Sequence, residues 1–232
     1  MKTMRRRILA LLILGLPVLG STAEALPRIL MLGDSTYNQP SRSIASALKG
    51  RAQVVYPPIQ PGAVHNSTQA LLLLDTWLGD GKWDLIHVNF GLADLVHRAP
   101  NMKSFRAFPR PAGGIRATSP AQYEKNLRAL MPRLKATGAS VIWSSTTPIQ
   151  TDANGLFETG SEIAYNTIAE RIMNEFGIPV YDMHAHVLSL TDPKRPLHPY
   201  TNFNKTPIHY PLLTRIEKIL QHPPAPVSAP KK

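Results

Sequence analysis

A serine follows the first apolar run after the N-terminal segment. Residues 28–37, RILMLGDSTY, pass from apolar residues into Gly-Asp-Ser and then into polar residues. A serine hydroxyl can act as a nucleophile when a neighbouring base takes its proton. Ser35 is therefore the first candidate for covalent chemistry, although a plain strand-to-loop turn has the same composition.

A histidine near the end of the chain is the candidate base. His209 opens the segment HYPLLTRIEKILQ, whose apolar spacing predicts a helix over 209–221. Imidazole is the side chain best suited to exchange protons near neutral pH. A histidine that merely caps this helix or lies on its surface is the alternative. The two residues form a pair only if the fold joins the two ends of the chain.

Two further histidines raise the alternative of a metal site. In YDMHAH, a predicted strand end, His184 and His186 would point the same way and could share an ion with Asp182 or His198. The spacing is not diagnostic of a metal site. We therefore predict neither a metal ion nor another cofactor.

Alternating strands and helices must position the candidate residues. Apolar runs predict strands at 28–33, 52–57, 83–91, 139–149 and 178–184, and helical spacing predicts helices at 41–50, 67–81, 119–138, 161–177 and 209–221. The alternation predicts a three-layer α/β/α sandwich with a central, mostly parallel five-stranded sheet. Ligands bind at the carboxyl ends of such strands, where Ser35, Gly91 and Thr146–Thr147 fall.

The first 25 residues have the organisation of a secretory signal peptide. A basic MKTMRRR precedes the apolar ILALLILGLPVLG, and STAEA offers small residues for cleavage. The apolar run is shorter than the ~20 residues of a membrane span. We expect an exported protein, periplasmic or secreted, without a stable membrane anchor; an uncleaved signal anchor is the alternative. Residues 26–222 are predicted to form one domain and 223–232 a disordered proline-rich tail.

The chain is basic and lacks cysteine. Its formal net charge is +11, and +8 remains after residues 1–25 are removed. Such a charge favours anionic glycans or envelope surfaces as partners. Export and the lack of a nucleic-acid-binding motif argue against nucleic acid. The absence of cysteine excludes disulfides, thiolate nucleophiles and cysteine-based zinc sites.

A long basic segment follows the third predicted strand. Residues 95–118 contain three prolines and two adjacent glycines, and loops of this length are often functional. We predict that it overhangs the site and helps to recognise an anionic or bulky substrate; a solvated loop is the alternative. Its basic residues are Arg98, Lys103, Arg106, Arg110 and Arg116.

The motifs, taken in order, resemble those of the SGNH (GDSL) hydrolases. LGDSTY is similar to the family's first block, KWDLIHVNFGLADL to its third and TPIHYPLLTRI to its last, while VIWSSTTPI and YNTIAERIMNEFGIPVYDM are similar to its fourth- and fifth-strand region. The resemblance covers residues 28–221. It implies a flavodoxin-like fold and ester hydrolysis without a cofactor.

The resemblance also implies roles for individual residues. Ser35 would be the nucleophile and would offer its own N–H to the oxyanion, and His209 would act as general base and then as general acid. The residues that would support the oxyanion or the active site are Asp34, Asn66, Asn89, Gly91 and Asp94.

Three positions depart from the family pattern. Thr206 occupies the place of the aspartate that orients the histidine, Ala93 that of the oxyanion asparagine, and Asn66 that of the second-block glycine. Loss of one oxyanion donor typically costs ~10²–10³-fold in turnover. A threonine hydroxyl accepts a hydrogen bond from imidazole but carries no charge to stabilise its protonated form.

Nearby groups could compensate for these departures. The side-chain amide of Asn66 or Asn89 could bind the oxyanion, and Asn204 or a backbone carbonyl could orient His209.

The sequence therefore predicts an exported serine ester hydrolase that removes short acyl groups, such as acetyl, from small-molecule, carbohydrate or envelope esters. Two alternatives stay open. One is a catalytically weakened protein that keeps the fold and binds a glycan or the envelope. The other is a lysophospholipase, which only the positive charge favours.

Overall fold

The computed structural model describes residues 25–198 and 207–221. The predicted signal peptide, apart from its last residue, and the predicted tail at 223–232 lie outside the described residues. So do Thr206 and Asn204. Within the described residues, no helix is both long enough and apolar enough to cross a membrane.

A five-stranded parallel sheet forms the centre of the molecule, as the sequence predicts. Its strand order is β2-β1-β3-β6-β7, and the register places Gly33 opposite Asn89. A separate antiparallel pair is formed by β4 and β5. The strands are β1 (Arg28–Gly33), β2 (Gln53–Val55), β3 (Leu85–Asn89), β4 (His97–Arg98), β5 (Ile115–Arg116), β6 (Ser140–Ser144) and β7 (Val180–Tyr181).

Helices cover both faces of the sheet. They are α1 (Asn38–Ala47), α2 (Ser67–Leu78), α3 (Leu92–Leu95), α4 (Pro120–Lys135), α5 (Glu162–Glu175), α6 (Met183–Ser189) and α7 (His209–Gln221). Short 3₁₀ helices occupy Ser35–Tyr37, Arg110–Ala112 and Ala153–Gly155.

Alternating side chains of the strands produce two hydrophobic cores. Leu30 and Leu32 of β1 face a core that includes α2, α4 and α5, while Ile29 and Met31 face a second core with α1, α6 and α7. Successive residues of a strand point to opposite faces, so a strand buried on both sides is apolar throughout. The predicted α/β/α sandwich is confirmed.

Capping residues determine where several helices begin. The Asn66 side chain accepts a hydrogen bond from Gln69 N at the start of α2, and Ser119 accepts one from Gln122 N ahead of Pro120 in α4. These are favoured residues for an N-cap and for the first helical turn.

Two sequence predictions about local structure are wrong. The strand expected at 178–184 contains only Val180–Tyr181, because Asp182 caps a helix that begins at Met183. The segment 95–118 is not a plain loop, since it contains the short β4–β5 pair and one 3₁₀ turn. Both elements are too short to give a periodic signal in the sequence.

Candidate active site

Ser35 lies at the carboxyl end of the central strand β1. Asp34 caps the 3₁₀ helix that Ser35 begins, and the Ser35 side chain is exposed. Its neighbours are not, since Asp34 is 1% exposed, Thr36 7% and Tyr37 1%. The first N–H groups of a helix have no partner inside it, and the N–H of Ser35 is one of these. An accessible hydroxyl therefore lies beside an N–H that is available to a ligand.

The buried carboxylate of Asp34 lies at the β1 exit, near the start of α3. It accepts hydrogen bonds from the N–H of Thr36 at 3.0 Å and from the Thr36 hydroxyl. Burial raises the pKa of Asp34, while Thr36 and the N–H groups of Leu92 and Ala93 oppose that rise by favouring the charged form. Asp34 thus holds the loop that presents Ser35.

A second buried carboxylate, Asp94, joins α3 to the start of α2. It accepts hydrogen bonds from Ser67 N at 3.1 Å and from Ser67 Oγ at 2.6 Å. Burial raises the pKa of Asp94 to about 6, and hydrogen bonds from Ser67 and Thr118 oppose that rise. This contact fixes Asn66, the residue immediately before Ser67.

Tyr56 and His65 join the β1 exit to the loop before α2. The Tyr56 hydroxyl donates to the carbonyl of Asp34 at 2.9 Å and lies 3.3 Å from that of Gly33. His65 is 2% exposed and packs on Trp77 with ring centroids 4.6 Å apart. Burial lowers the pKa of His65, and contact with the Gly33 carbonyl opposes this.

These contacts bring three segments of the chain together: residues 33–36, 65–67 and 92–94. We call this group of segments the three-loop brace. Tyr56, His65 and Ser67 were not identified from the sequence. The one available signal was the polar HNST at the start of a predicted helix, and it does not reveal partners that are distant along the chain, such as Asp94 for Ser67.

The other predicted supporting residues occupy different places around the brace. Asn66 is buried at the N-cap of α2, where its oxygen accepts from Gln69 N. Asn89 donates from Nδ2 to the Ser144 carbonyl at 2.9 Å, so it joins the ends of β3 and β6. Gly91 lies against Thr146: a Cβ at Gly91 would be 1.7 Å from Thr146 Oγ1. The close approach of these two loops therefore requires glycine.

His209 is the first residue of α7, a helix that packs in the same core as α1. Glu217, eight residues further along α7, forms a 2.8 Å ion pair with Arg51, which lies just before β2 begins. Eight helical residues span ~12 Å, so the first turn of α7 lies about that far along the helix from this ion pair. His209 is half-buried there, on the face of the sheet that carries α1. Thr206, the predicted orienting residue, lies outside the described residues.

The two histidines considered for a metal site are on a helix. His184 and His186 belong to α6, where residues two apart do not share a face. His184 Nε2 contacts Glu162 Oε1 at 3.1 Å. Residues 25–198 and 207–221 contain no group of three or more His, Asp or Glu side chains that could hold a metal ion.

The comparisons with solved structures identify the fold. An acetyl xylan esterase, AlAXEase, is 14% identical, with a TM-score of 0.57 over 83% of this chain and 99% of that chain. A lipase/acylhydrolase from Enterococcus faecalis is 14% identical, with a TM-score of 0.56 over 84% and 95%. A GDSL-like lipase from Bacteroides thetaiotaomicron is 15% identical, with a TM-score of 0.55 over 84% and 87%. The chain has the SGNH hydrolase fold. Neither a protein-family model nor a curated protein sequence matches it.

Part of the positive charge of the segment 95–118 is neutralised by an acidic residue elsewhere in the fold. Arg116 pairs with Glu158 at 2.6 Å, and Arg110 lies 3.8 Å from the same carboxylate. Arg98 donates to the Met102 carbonyl. The predicted role of this segment in substrate recognition therefore depends on its other two basic residues, Lys103 and Arg106, which are exposed.

Proposed function

We propose that the protein is a serine ester hydrolase in which Ser35 is the nucleophile and His209 the general base. One observation carries the proposal: the Ser35 hydroxyl is exposed at the carboxyl end of β1 while the side chains on either side of it are buried. Parallel α/β sheets bind their ligands at this edge. The role of His209 is supported by the packing of its helix, α7, in the same core as Tyr37 and α1, which directly follow Ser35.

The reaction has two stages. In the first, Ser35 Oγ attacks the ester carbonyl carbon while His209 takes the hydroxyl proton; the carbon–oxygen bond to the alcohol breaks, and the alcohol leaves with that proton. In the second, water attacks the acyl-serine and gives a proton to His209. The carboxylic acid is released, and Ser35 regains its proton.

The oxyanion formed in each stage needs hydrogen-bond donors. The N–H of Ser35 is one, and the side-chain amide of Asn66 is the proposed second, because the three-loop brace holds residue 66 beside the β1 exit. Ala93 has no side-chain donor. One missing donor lowers turnover by ~10²–10³-fold, so we expect a modest rate unless Asn66 replaces that donor.

The proposed substrates are short acyl esters, acetyl esters above all, of carbohydrates or envelope components. Two of the similar structures are described as an acetyl xylan esterase and a lipase/acylhydrolase. The signal-peptide-like N-terminus supports export to the periplasm or the medium. The net positive charge supports contact with anionic glycans or an envelope surface.

A binding protein that retains the fold is the second candidate. The observation that favours it is Ala93, together with the engagement of Asn89 by the Ser144 carbonyl. Ala93 then supplies no side-chain donor at the third block, and Asn89 has one of its two Nδ2 hydrogens already engaged. Such a protein would bind an ester-bearing glycan at the same edge without turning it over.

Hydrolysis of p-nitrophenyl acetate distinguishes the two candidates. We expect turnover by the wild-type chain and by Ser46→Ala, a matched control because Ser46 is also an exposed serine. Ser35→Ala is expected to reduce turnover to the background rate. Equal rates for Ser35→Ala and Ser46→Ala would contradict the hydrolase proposal and favour the binding protein.

A further inference from the structure

A cavity of about 190 Å³ lies between α5 and the edge strand β7. Trp143 of β6 lines it together with Asn166 and Glu170 of α5 and with Asp182 and His184 at the start of α6. In the sheet order, β7 is three strands away from β1. The three-loop brace contributes no residue to this cavity, which we call the edge cavity.

Two carboxylates of the edge cavity are free to meet a ligand. Carboxylates elsewhere, such as the half-buried Glu124 and the exposed Glu175, form ion pairs with arginines. Within the described residues, Glu170 and Asp182 form none, although the chain carries a net charge of +11. Asp182 uses Oδ1 to accept from Ala185 N and from Ser145 Oγ, both neutral donors. Within the described residues, no cationic side chain therefore forms an ion pair with either of these two carboxylates of the cavity.

Other lining groups do not neutralise that charge. His184 directs Nε2 to Glu162, so any positive charge on its ring is already paired. The Asn166 amide is used by the backbone of Thr146, from which it accepts at 2.7 Å and to which it donates at 2.9 Å. Trp143 is 1% exposed, and its Nε1 has no hydrogen-bond partner among the described residues. A buried indole N–H without a partner is a rare feature, and it can pair only with an acceptor atom of a ligand, such as a hydroxyl oxygen, and not with an ammonium group.

The size of the edge cavity limits its occupant. Sites for drug-sized ligands measure about 300–1,000 Å³, while a cavity of about 150 Å³ holds benzene. The edge cavity falls between these values and fits one six-membered ring. Aromatic side chains such as that of Trp143 also attract cations.

We propose that the edge cavity binds a small organic ammonium ion of about one ring in size, with its positive charge on Glu170 and Asp182. The carboxylates accept the ammonium hydrogens, and the body of the ligand packs toward Trp143. This site is independent of Ser35 chemistry and goes beyond the proposed hydrolase function.

The test uses Ser35→Ala protein, so that its outcome does not depend on hydrolysis. Glucosamine and cyclohexylamine are titrated separately and followed by calorimetry and by the indole N–H resonances of the three tryptophans. N-acetylglucosamine, which has no positive charge, is the matched ligand control. We expect saturable binding of at least one amine, a shift of the Trp143 resonance, and no binding of the neutral sugar. If only glucosamine binds, the ligand is an amino sugar; if both bind, the charge is the main determinant.

Substitutions locate the site. Glu170→Gln and Asp182→Asn are expected to weaken amine binding about five- to tenfold each, since each removes one charge while asparagine still caps a helix. Asp75→Asn removes an exposed carboxylate far from the cavity and should leave affinity unchanged. Absence of saturable amine binding, or equal affinity in Glu170→Gln and Asp75→Asn, would overturn the proposal.

Discussion

The segments that follow strands β1 and β7 use the same local motif for different purposes. After β1, Asp34 caps a short helix by accepting from Thr36 N; after β7, Asp182 caps α6 by accepting from Ala185 N. Asp34 is enclosed by the start of α3 and is 1% exposed, whereas Asp182 is exposed and lines a cavity.

The difference shows that burial, rather than the motif, decides what such a carboxylate does. A buried carboxylate takes its hydrogen-bond donors from the protein, so Asp94 holds the starts of α2 and α3 together and Asp34 holds the turn that contains Thr36. An exposed one keeps acceptor capacity for a ligand. In this account, the buried carboxylates near β1 position the loops around Ser35, whereas the exposed carboxylate after β7 is proposed to bind a ligand.

The largest expected effect is a loss of catalysis at Ser35 that leaves binding at the edge cavity unchanged. His209→Ala should lower the kcat for p-nitrophenyl acetate by about 10³-fold or more, because Ser35 loses the group that accepts its proton. Amine binding to the edge cavity should be unchanged. Lys218→Ala, at an exposed position later in α7, is the control. Unaltered turnover in His209→Ala would show that the base is another residue.

Removing the two capping aspartates tests the comparison itself. Asp34→Ala should lower the free energy of unfolding by about 3 kcal/mol, because buried donors of Thr36 lose their acceptor. Asp182→Ala should cost only about 1 kcal/mol, the usual value for an exposed cap. Urea unfolding of both variants measures the difference. Equal losses would contradict the distinction between a buried and an exposed role.

The pH dependence of stability should report the buried carboxylate of Asp94. Its folded pKa of about 6 lies above the value of ~3.9 in an unfolded chain, so the native state binds more protons between these pH values. Stability from this group is therefore present below pH ~4 and is lost as pH rises to about 6, by roughly 2–3 kcal/mol at most.

The measurement is the difference in unfolding free energy between wild type and Asp94→Asn at several pH values. This difference should change steadily from pH 4 to 6 and level off above pH 7. Ser67→Ala removes a hydrogen bond that lowers this pKa, so it should move the change to higher pH. A difference that does not vary with pH would contradict the assignment.

The smallest expected effect concerns the brace that supports Ser35. Tyr56→Phe removes one hydroxyl that donates to the Asp34 carbonyl and should cost about 1 kcal/mol in stability. If the brace also positions the nucleophile, kcat should fall severalfold with KM unchanged. A stabilising osmolyte separates the two effects. It should restore kcat if the loss comes only from lower stability, and it should not restore kcat if Tyr56 positions Ser35. A lower stability with full kcat would limit Tyr56 to a structural role.

Much of the fold is predictable from the sequence because its strands are buried on both faces. Continuous apolar runs mark β1 and β3, and helical spacing marks α7 over the same residues, 209–221, that the structure shows. The carboxyl edge and Ser35 follow from this alternation. Short elements such as β7 and α6 cannot be predicted in this way, because a strand of two residues or a helix of two turns is too short to show a hydrophobic period.

The contacts that build the site were harder to predict. Ser67 and Asp94 are separated by 27 positions, and Arg116 and Glu158 by 42. Polar pairs of this kind depend on the final packing of loops, which no local pattern encodes. The edge cavity has the same origin, since it arises where α5 and a very short edge strand leave space.

Covalent labelling of Ser35 is the most direct test of the central claim. Wild-type protein is treated with a fluorophosphonate and digested, and the adduct is located by mass spectrometry. We predict a single adduct on the peptide that contains Ser35 and none in Ser35→Ala, because only a serine activated by a base reacts rapidly. An unlabelled wild-type protein, or equal labelling of the Ser35→Ala variant, would contradict the account.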